Sequence, residues 1–133
     1  MPWVRGRATA LAAPMLLVAL LLLGGCDEKD EAADIARLEE MEARIDEMIA
    51  NRACTAGGSC RIIAFGAKPC GGPWEYKIYS AEHVDTLALQ RAVKEYNEFN
   101  REANERHGWL SDCSVPMQPN VACYQGNCEV VAP

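Results

Sequence analysis

The cysteines are the residues of this 133-residue chain with the clearest capacity for chemistry. Six of the seven are separated by 5, 9, 42, 9 and 4 residues, namely Cys54, Cys60, Cys70, Cys113, Cys123 and Cys128. Zinc sites and thiol redox sites favour close C-x-x-C pairs, and none of these spacings supplies one. An even number of cysteines in a small domain predicts three disulfides, and no metal, if the chain is exported to an oxidising compartment.

Six cysteines allow 15 pairings, and their spacing does not choose among them. Short connections favour a Cys54–Cys60 bridge across a flexible loop and a Cys123–Cys128 bridge across a tight turn. Cys70 and Cys113 then remain for a long-range bridge. The compact part of the chain is only about 80 residues, so its core is marginal and each bridge adds roughly 2–4 kcal/mol.

Three asparagines are spaced for one edge of a helix. Asn97, Asn100 and Asn104 lie at positions i, i+3 and i+7 beside an apolar stripe. Because asparagine lowers helix propensity, three on one edge indicate a use for their amides. We favour a structural use, in which they bind the backbone of a neighbouring loop such as Gly66–Pro73. The alternative is a polar groove that binds a ligand.

The loop Gly66–Pro73 contains three glycines and two prolines, which exclude regular structure. A cysteine-anchored loop with proline and lysine resembles the exposed loops of small protease inhibitors. The resemblance implies that Lys68 enters a trypsin-like pocket and that Pro69 resists cleavage, although no inhibitor family's full cysteine pattern is present. Turn geometry also explains the glycines and prolines. Inhibition of an envelope or foreign hydrolase is therefore the alternative function.

The chain does not contain a recognisable catalytic set. A triad could be drawn only from side chains scattered over Ser80, Ser111, His83, His107, Asp85 and Asp112. There is no nucleophile elbow, and phosphate-loop, dinucleotide and HExxH motifs are absent from the sequence. We therefore predict no catalytic residue and no cofactor.

The first 25 residues have the features of an export leader. Arg5 and Arg7 precede the apolar run Leu11–Leu23, whose 13 residues fall short of the roughly 20 that cross a bilayer. The run ends in Leu23-Gly24-Gly25-Cys26, which resembles the lipobox of bacterial lipoproteins. The resemblance implies cleavage before Cys26 and acylation of Cys26, so that the lipid anchors the chain to a membrane of the cell envelope, facing the periplasm.

The residue after the lipobox cysteine gives a weaker indication. Asp27 resembles the inner-membrane retention signal of enteric lipoproteins.

Without residues 1–25 the chain has 11 basic and 19 acidic side chains, a formal net charge of −8. This balance argues against a nucleic-acid partner.

The acidic segment 27–53, which follows the leader, predicts a helix over about Asp30–Arg52, roughly 35 Å long. Its apolar side chains form one stripe, composed of Ile35, Leu38, Met41, Ile45, Met48 and Ile49. We expect this stripe to pack on the disulfide domain, or the helix to stand as a stalk between Cys26 and residues 54–133. A coiled-coil seam is the alternative, but the stripe spans only about two heptads.

Residues 54–133 read as strand, strand, helix and hairpin. Apolar or alternating residues predict strands at Arg61–Phe65 and Trp74–Ile78. Asp85 and Gly108 bracket a predicted helix with a buried face formed by Leu89, Ala92, Val93, Tyr96, Phe99 and Ala103. The last two strands, 121–124 and 128–131, join at Gln125-Gly126-Asn127.

The predicted fold is α+β. It is a small, disulfide-stapled antiparallel sheet with one long packed helix, preceded by an acidic amphipathic helix. The Cys-Gly-Gly-Pro and Ser-Asp-Cys pieces resemble uncharacterised bacterial lipoproteins, from which no activity transfers. We expect a lipid-anchored, non-enzymatic binding or interaction module of the envelope, with an envelope protein as its partner.

Overall fold

The computed structural model describes residues 27–132. The predicted leader 1–25 and the predicted lipid attachment at Cys26 lie outside the described residues. The helices and strands are α1 (Asp27–Met48), β1 (Cys60–Phe65), β2 (Glu75–Ser80), α2 (Thr86–His107), β3 (Asn120–Tyr124) and β4 (Asn127–Val131). The predicted α+β class is confirmed, but the strands form two antiparallel pairs, β1–β2 and β3–β4, in place of one sheet.

Helix α2 begins and ends where its sequence signals predict. The carboxylate of Asp85 accepts hydrogen bonds from the backbone N–H groups of Leu87 and Ala88, both at 3.0 Å. Gly108 adopts the left-handed conformation (φ 64°), and its N–H donates to the carbonyl of Asn104. Both caps satisfy groups that a helix end otherwise leaves without partners.

Helix α1 packs against α2 and contributes to the same core. Leu38, Met41, Ile45 and Ile49 are buried together with side chains of β1, β2 and α2. The expectation that the apolar stripe packs on the disulfide domain is confirmed, except that Ile35 at its start is exposed. The acidic segment 27–53 therefore shares one hydrophobic core with the part of the chain that follows residue 53.

The first helix ends at Met48, four residues before the predicted end. The side chain of Asn51 accepts a hydrogen bond from the N–H of Ala53 at 3.1 Å, which turns the chain. The carbonyl of Arg52 then accepts from the N–H of Cys128 at 2.8 Å. The backbone after Met48 thus pairs with the β3–β4 hairpin and cannot continue the helix.

One face of the β1–β2 pair covers the core between the helices. Phe65 of β1 stacks on Tyr96 of α2 with ring centroids 4.1 Å apart. Tyr79 of β2 is buried in the same cluster. Burial raises the pKa of Tyr96 to about 12, so its phenol stays neutral at physiological pH.

The β3–β4 hairpin turns where the sequence predicts. Gln125 and Gly126 have φ angles of 49° and 82°, both in the left-handed region. Two such residues form the type I′ turn that suits the twist of a tight hairpin. The register aligns Cys123 with Cys128.

The three disulfides are Cys54–Cys123, Cys60–Cys128 and Cys70–Cys113. The predicted Cys70–Cys113 bridge is confirmed, whereas Cys54–Cys60 and Cys123–Cys128 are wrong. Because Cys123 and Cys128 are directly opposed, both side chains leave the same face of the hairpin. They meet the segment 54–60, and each cysteine bonds across to it. The four cysteines of these two bridges lie close together in the fold, so their separation in sequence does not decide which two of them bond.

Neither helix within residues 27–132 is both long enough and apolar enough to cross a bilayer.

Candidate functional site

The asparagines of α2 bind the backbone of the chain leaving β1. The side-chain oxygen of Asn97 accepts from the N–H of Gly66 at 2.7 Å, and that of Asn100 accepts from the N–H of Ala67 at 2.9 Å. The amide of Asn104 donates to the carbonyl of Ala67 at 2.6 Å. The structural interpretation of the three asparagines is therefore confirmed.

The same contacts fix the start of the Gly66–Pro73 loop. Gly66 has a φ of 81°, and a Cβ at this position would meet the indole of Trp74. The indole N–H of Trp74 donates to the side-chain oxygen of Asn100 at 3.2 Å. The loop thus needs glycine here for two reasons, its left-handed backbone and the indole that covers it.

Lys68 is buried within the loop and is not presented to solvent. Its side chain is only 5% exposed, and its amine lies 3.1 Å from the Asp112 carboxylate. The amine also donates to the backbone carbonyl of Ser114 at 2.6 Å, and it lies 5.1 Å from the centroid of the Trp74 ring. Together with the Cys70–Cys113 disulfide, these contacts attach the loop to the segment after α2.

Only two of the four candidate binding residues line the same cleft. Lys68 and Asn104 line an open cleft of about 380 Å³, together with Pro69, Gly71, Arg101, Glu105 and Gly108. Asn97 and Asn100 do not line it. The amine of Lys68 and the amide of Asn104 already have partners in the chain, so the charged groups that the cleft presents to a ligand are those of Arg101 and Glu105.

A second charged cluster lies between β2 and the first helix, α1. The amine of Lys77 lies 3.0 Å from Glu42, 2.7 Å from Asp46 and 3.2 Å from Glu75. It also lies 4.3 Å from the centroid of the Phe65 ring. Burial alone would lower the pKa of Lys77, but the hydrogen bonds that its amine donates to the three carboxylates raise the pKa above its usual value.

An open groove of about 530 Å³ runs beside this cluster. Its two walls are the strand β2 and the end of α1 with the residues that follow. We call it the β2 groove, and its lining is Asp46, Ile49, Ala50, Arg52, Glu75, Tyr76, Lys77 and Ile78. Exposed carboxylates and strand backbone therefore face one open space.

The start of α1 and the end of α2 are joined by a histidine–carboxylate pair that the sequence did not reveal. Nε2 of His107 lies 2.8 Å from Oδ2 of Asp34, and Arg106 contacts the same oxygen. The hydrogen bond from His107 is the largest cause that holds the pKa of Asp34 below its usual value. Nothing in the sequence spacing indicated that the partner of His107 lies on α1.

Three of the side chains from which a triad could be drawn have partners outside that set. His107 contacts Asp34, Asp85 caps α2, and Asp112 contacts Ser114 and Lys68. Ser80 is fully buried.

The Lys77 cluster and the β2 groove were also missed by the sequence analysis. Strict alternation at Trp74–Ile78 placed Lys77 on a strand, and Glu42 and Asp46 fall one turn apart on α1. That i, i+4 spacing of acids was the available signal, but it did not indicate which cation they would face.

Neither a protein-family model, nor a curated protein, nor a solved structure matches this chain.

Proposed function

We propose that this protein is a lipid-anchored module of the bacterial envelope that binds a partner without catalysing a reaction. The observation that supports binding is the β2 groove, in which exposed carboxylates and a strand edge face about 530 Å³ of open space. The disulfides and the shared core give this groove rigid walls. Rigid walls favour recognition because little conformational freedom is lost on binding.

The anchor is proposed from the lipobox at Cys26, which directly precedes α1. The groove begins at Asp46, near the other end of α1. Asp46 comes 19 positions after Asp27 in the helix, so the groove lies roughly 30 Å along the helix from the anchor. A lipid on Cys26 would thus hold the groove away from the membrane. The acids at the start of α1 would repel anionic head groups, which would also keep the groove away from the membrane.

Two measurements test this proposal. The intact mass of the protein from its native membrane should lack residues 1–25 and gain lipid, and it should shift by six alkyl groups only after reduction. A photo-crosslinking amino acid at Tyr76, in the groove, should then give a discrete crosslinked partner. The same amino acid at Arg91, which is exposed on α2, is the control. An unlipidated mass contradicts the anchor, and equal crosslinking at both positions contradicts the groove.

The alternative function, inhibition of a hydrolase through the Gly66–Pro73 loop, receives less support from the geometry. An inhibitor of trypsin-like enzymes must offer the lysine side chain to the protease pocket, but the side chain of Lys68 is buried and its amine is bound to Asp112 and Ser114. The proposal therefore rests on the groove.

A further inference from the structure

We propose that the β2 groove binds an extended peptide segment that carries basic side chains, and that this segment adds to the free edge of β2 as a third strand. The inference deepens the proposed function and rests on it. It names the class of partner and the way in which the partner is held.

The register of β1 and β2 determines which backbone groups face the groove. In an antiparallel pair, residues alternate between those that bond to the partner strand and those that point away. The N–H of Ala81 donates to the carbonyl of Ser59 at 2.8 Å, which sets the phase of this alternation. Lys77 therefore turns its N–H and C=O toward β1, whereas Tyr76 and Ile78 turn theirs away.

The outward groups of Tyr76 and Ile78 are available for pairing. Within residues 27–132, neither residue has a backbone hydrogen bond outside the β1–β2 pair. Both residues line the groove. The four β2 residues along it, 75–78, span roughly 13 Å of strand, which is enough for a short peptide strand to pair with.

The two edges of the β1–β2 pair differ in a way that supports this assignment. On the β1 side, Asn97 bonds to Gly66 and to the carbonyl of Ala64, so side chains of α2 satisfy the end of that edge. On the β2 side, α1 and the segment after it stand back and leave the groove. Proteins usually cover, charge or shorten a free strand edge, and an open one is a template for another strand.

The charges of the groove favour a basic segment. The side chain of Lys77 is only 10% exposed, whereas those of Glu42, Asp46 and Glu75 are 40%, 52% and 54% exposed. The buried amine is thus surrounded by three carboxylates that reach solvent. The groove lining itself holds two acids and two bases, and Glu42 lies beside it. Because Lys77 is buried, the exposed charges of the lining are Asp46, Glu75 and Arg52, two acids and one base.

In the register that pairs Tyr76 with Ile78, a second copy of this chain fits the edge less well than a basic peptide. Symmetric antiparallel pairing of two β2 strands through Tyr76 and Ile78 would place Lys77 opposite Lys77 of the other copy. Like charges directly opposite one another destabilise a strand pair.

The test uses the full mature chain and a short peptide in which valine alternates with lysine. We expect binding to slow hydrogen exchange at the amides of Tyr76 and Ile78. A matched peptide of alternating valine and glutamate should bind about tenfold more weakly or worse, since about 1.4 kcal/mol of lost attraction gives that factor. A lysine peptide with N-methylated backbone amides should not bind, because strand addition needs main-chain hydrogen bonds.

A pair of protein variants distinguishes binding to the backbone edge of β2 from binding to the side chain of Tyr76. Tyr76→Pro removes an N–H that points away from β1, so the β1–β2 ladder keeps its bonds while the edge loses a donor. Tyr76→Val keeps that N–H. We expect Tyr76→Val to bind the lysine peptide and Tyr76→Pro to lose binding at least tenfold, with both variants folded by circular dichroism. The N-methylated peptide provides the same test in the unaltered protein should Tyr76→Pro fail to fold.

The outcomes separate this inference from the proposed function. Binding that survives N-methylation, or self-association through the groove, overturns strand addition by a peptide while the crosslink at Tyr76 still supports a binding module. Loss of both peptide binding and the Tyr76 crosslink overturns the two together.

Discussion

The side chain of Asn100 accepts a hydrogen bond from the indole of Trp74 at 3.2 Å, from the far end of the loop that follows β1. The same oxygen accepts the N–H of Ala67 at 2.9 Å. One buried amide of α2 therefore joins the two ends of the Gly66–Pro73 loop. On the same helix, Asn97 covers the end of the β1 edge, while the β2 edge faces the groove.

Replacing Asn100 by alanine should destabilise the fold. The substitution leaves the N–H of Ala67 without its acceptor, at a cost of roughly 1–3 kcal/mol in the free energy of unfolding. Urea denaturation of Asn100→Ala measures this cost. Glu102→Ala on the exposed face of α2 is the control and should change stability by less than about 0.5 kcal/mol. Equal effects of the two substitutions would contradict the role of the amide.

Replacing Lys77 by methionine should leave three carboxylates without their cation. We expect a loss of about 1–2 kcal/mol, because hydrogen bonds to a partly buried charge are lost and the acids repel one another. High salt should shrink the difference from the unaltered protein, since it screens the repulsion. Lys94→Met, whose side chain is 76% exposed, is the matched control. A loss that does not respond to salt would argue against the electrostatic explanation.

The disulfide pairing is directly testable by peptide mapping without reduction. We expect the crosslinked peptides Cys54–Cys123, Cys60–Cys128 and Cys70–Cys113. Removing the last bridge with Cys70→Ser and Cys113→Ser should cost about 2–4 kcal/mol, while the other two bridges persist. Detection of Cys54–Cys60 or Cys123–Cys128 in the unaltered protein would show a different arrangement of the four convergent sulfurs.

Stability should depend on pH through Glu82. The backbone N–H of Thr55 donates to this carboxylate at 3.0 Å and is the largest cause that lowers the pKa of Glu82 from 4.5 to about 2. A carboxylate with a lowered folded pKa stabilises the fold above its unfolded pKa. This contribution is lost as the pH falls from about 4.5 to about 2.

Acid titration of the unfolding free energy checks this dependence. Glu82→Gln should be less stable at neutral pH and should show a shallower decline below pH 4.5. Glu129→Gln, at an exposed position on β4, is the control and should keep the slope of the unaltered protein. An unchanged slope in Glu82→Gln would contradict the assignment.

The sequence predicted the helix caps and the hairpin turn, because each of them depends on residues that are close together in the chain. Asp85 and Gly108 bracket α2 because a carboxylate cap and a left-handed glycine act within one turn of helix. The turn at Gln125-Gly126 follows from the need for two left-handed residues. The asparagine spacing predicted a backbone contact, since the amides had to find partners at the border of the core.

The long-range partners could not be predicted in this way. Contacts between Lys77 and Asp46, or between His107 and Asp34, join residues far apart in sequence, and many acids could have filled either place. The Cys54–Cys123 bridge could not be predicted for the same reason, because it depends on how the hairpin packs on the chain after α1. The β2 groove likewise exists only once α1 has been placed beside the strand.

Hydrogen exchange of the free protein along β2 shows whether this strand has an open edge. We expect the amides of Lys77 and Tyr79 to exchange slowly because they bond to β1, and those of Tyr76 and Ile78 to exchange quickly because they face the open groove. Slow exchange at all four amides would mean that the edge is already covered, and it would contradict the groove as a binding surface.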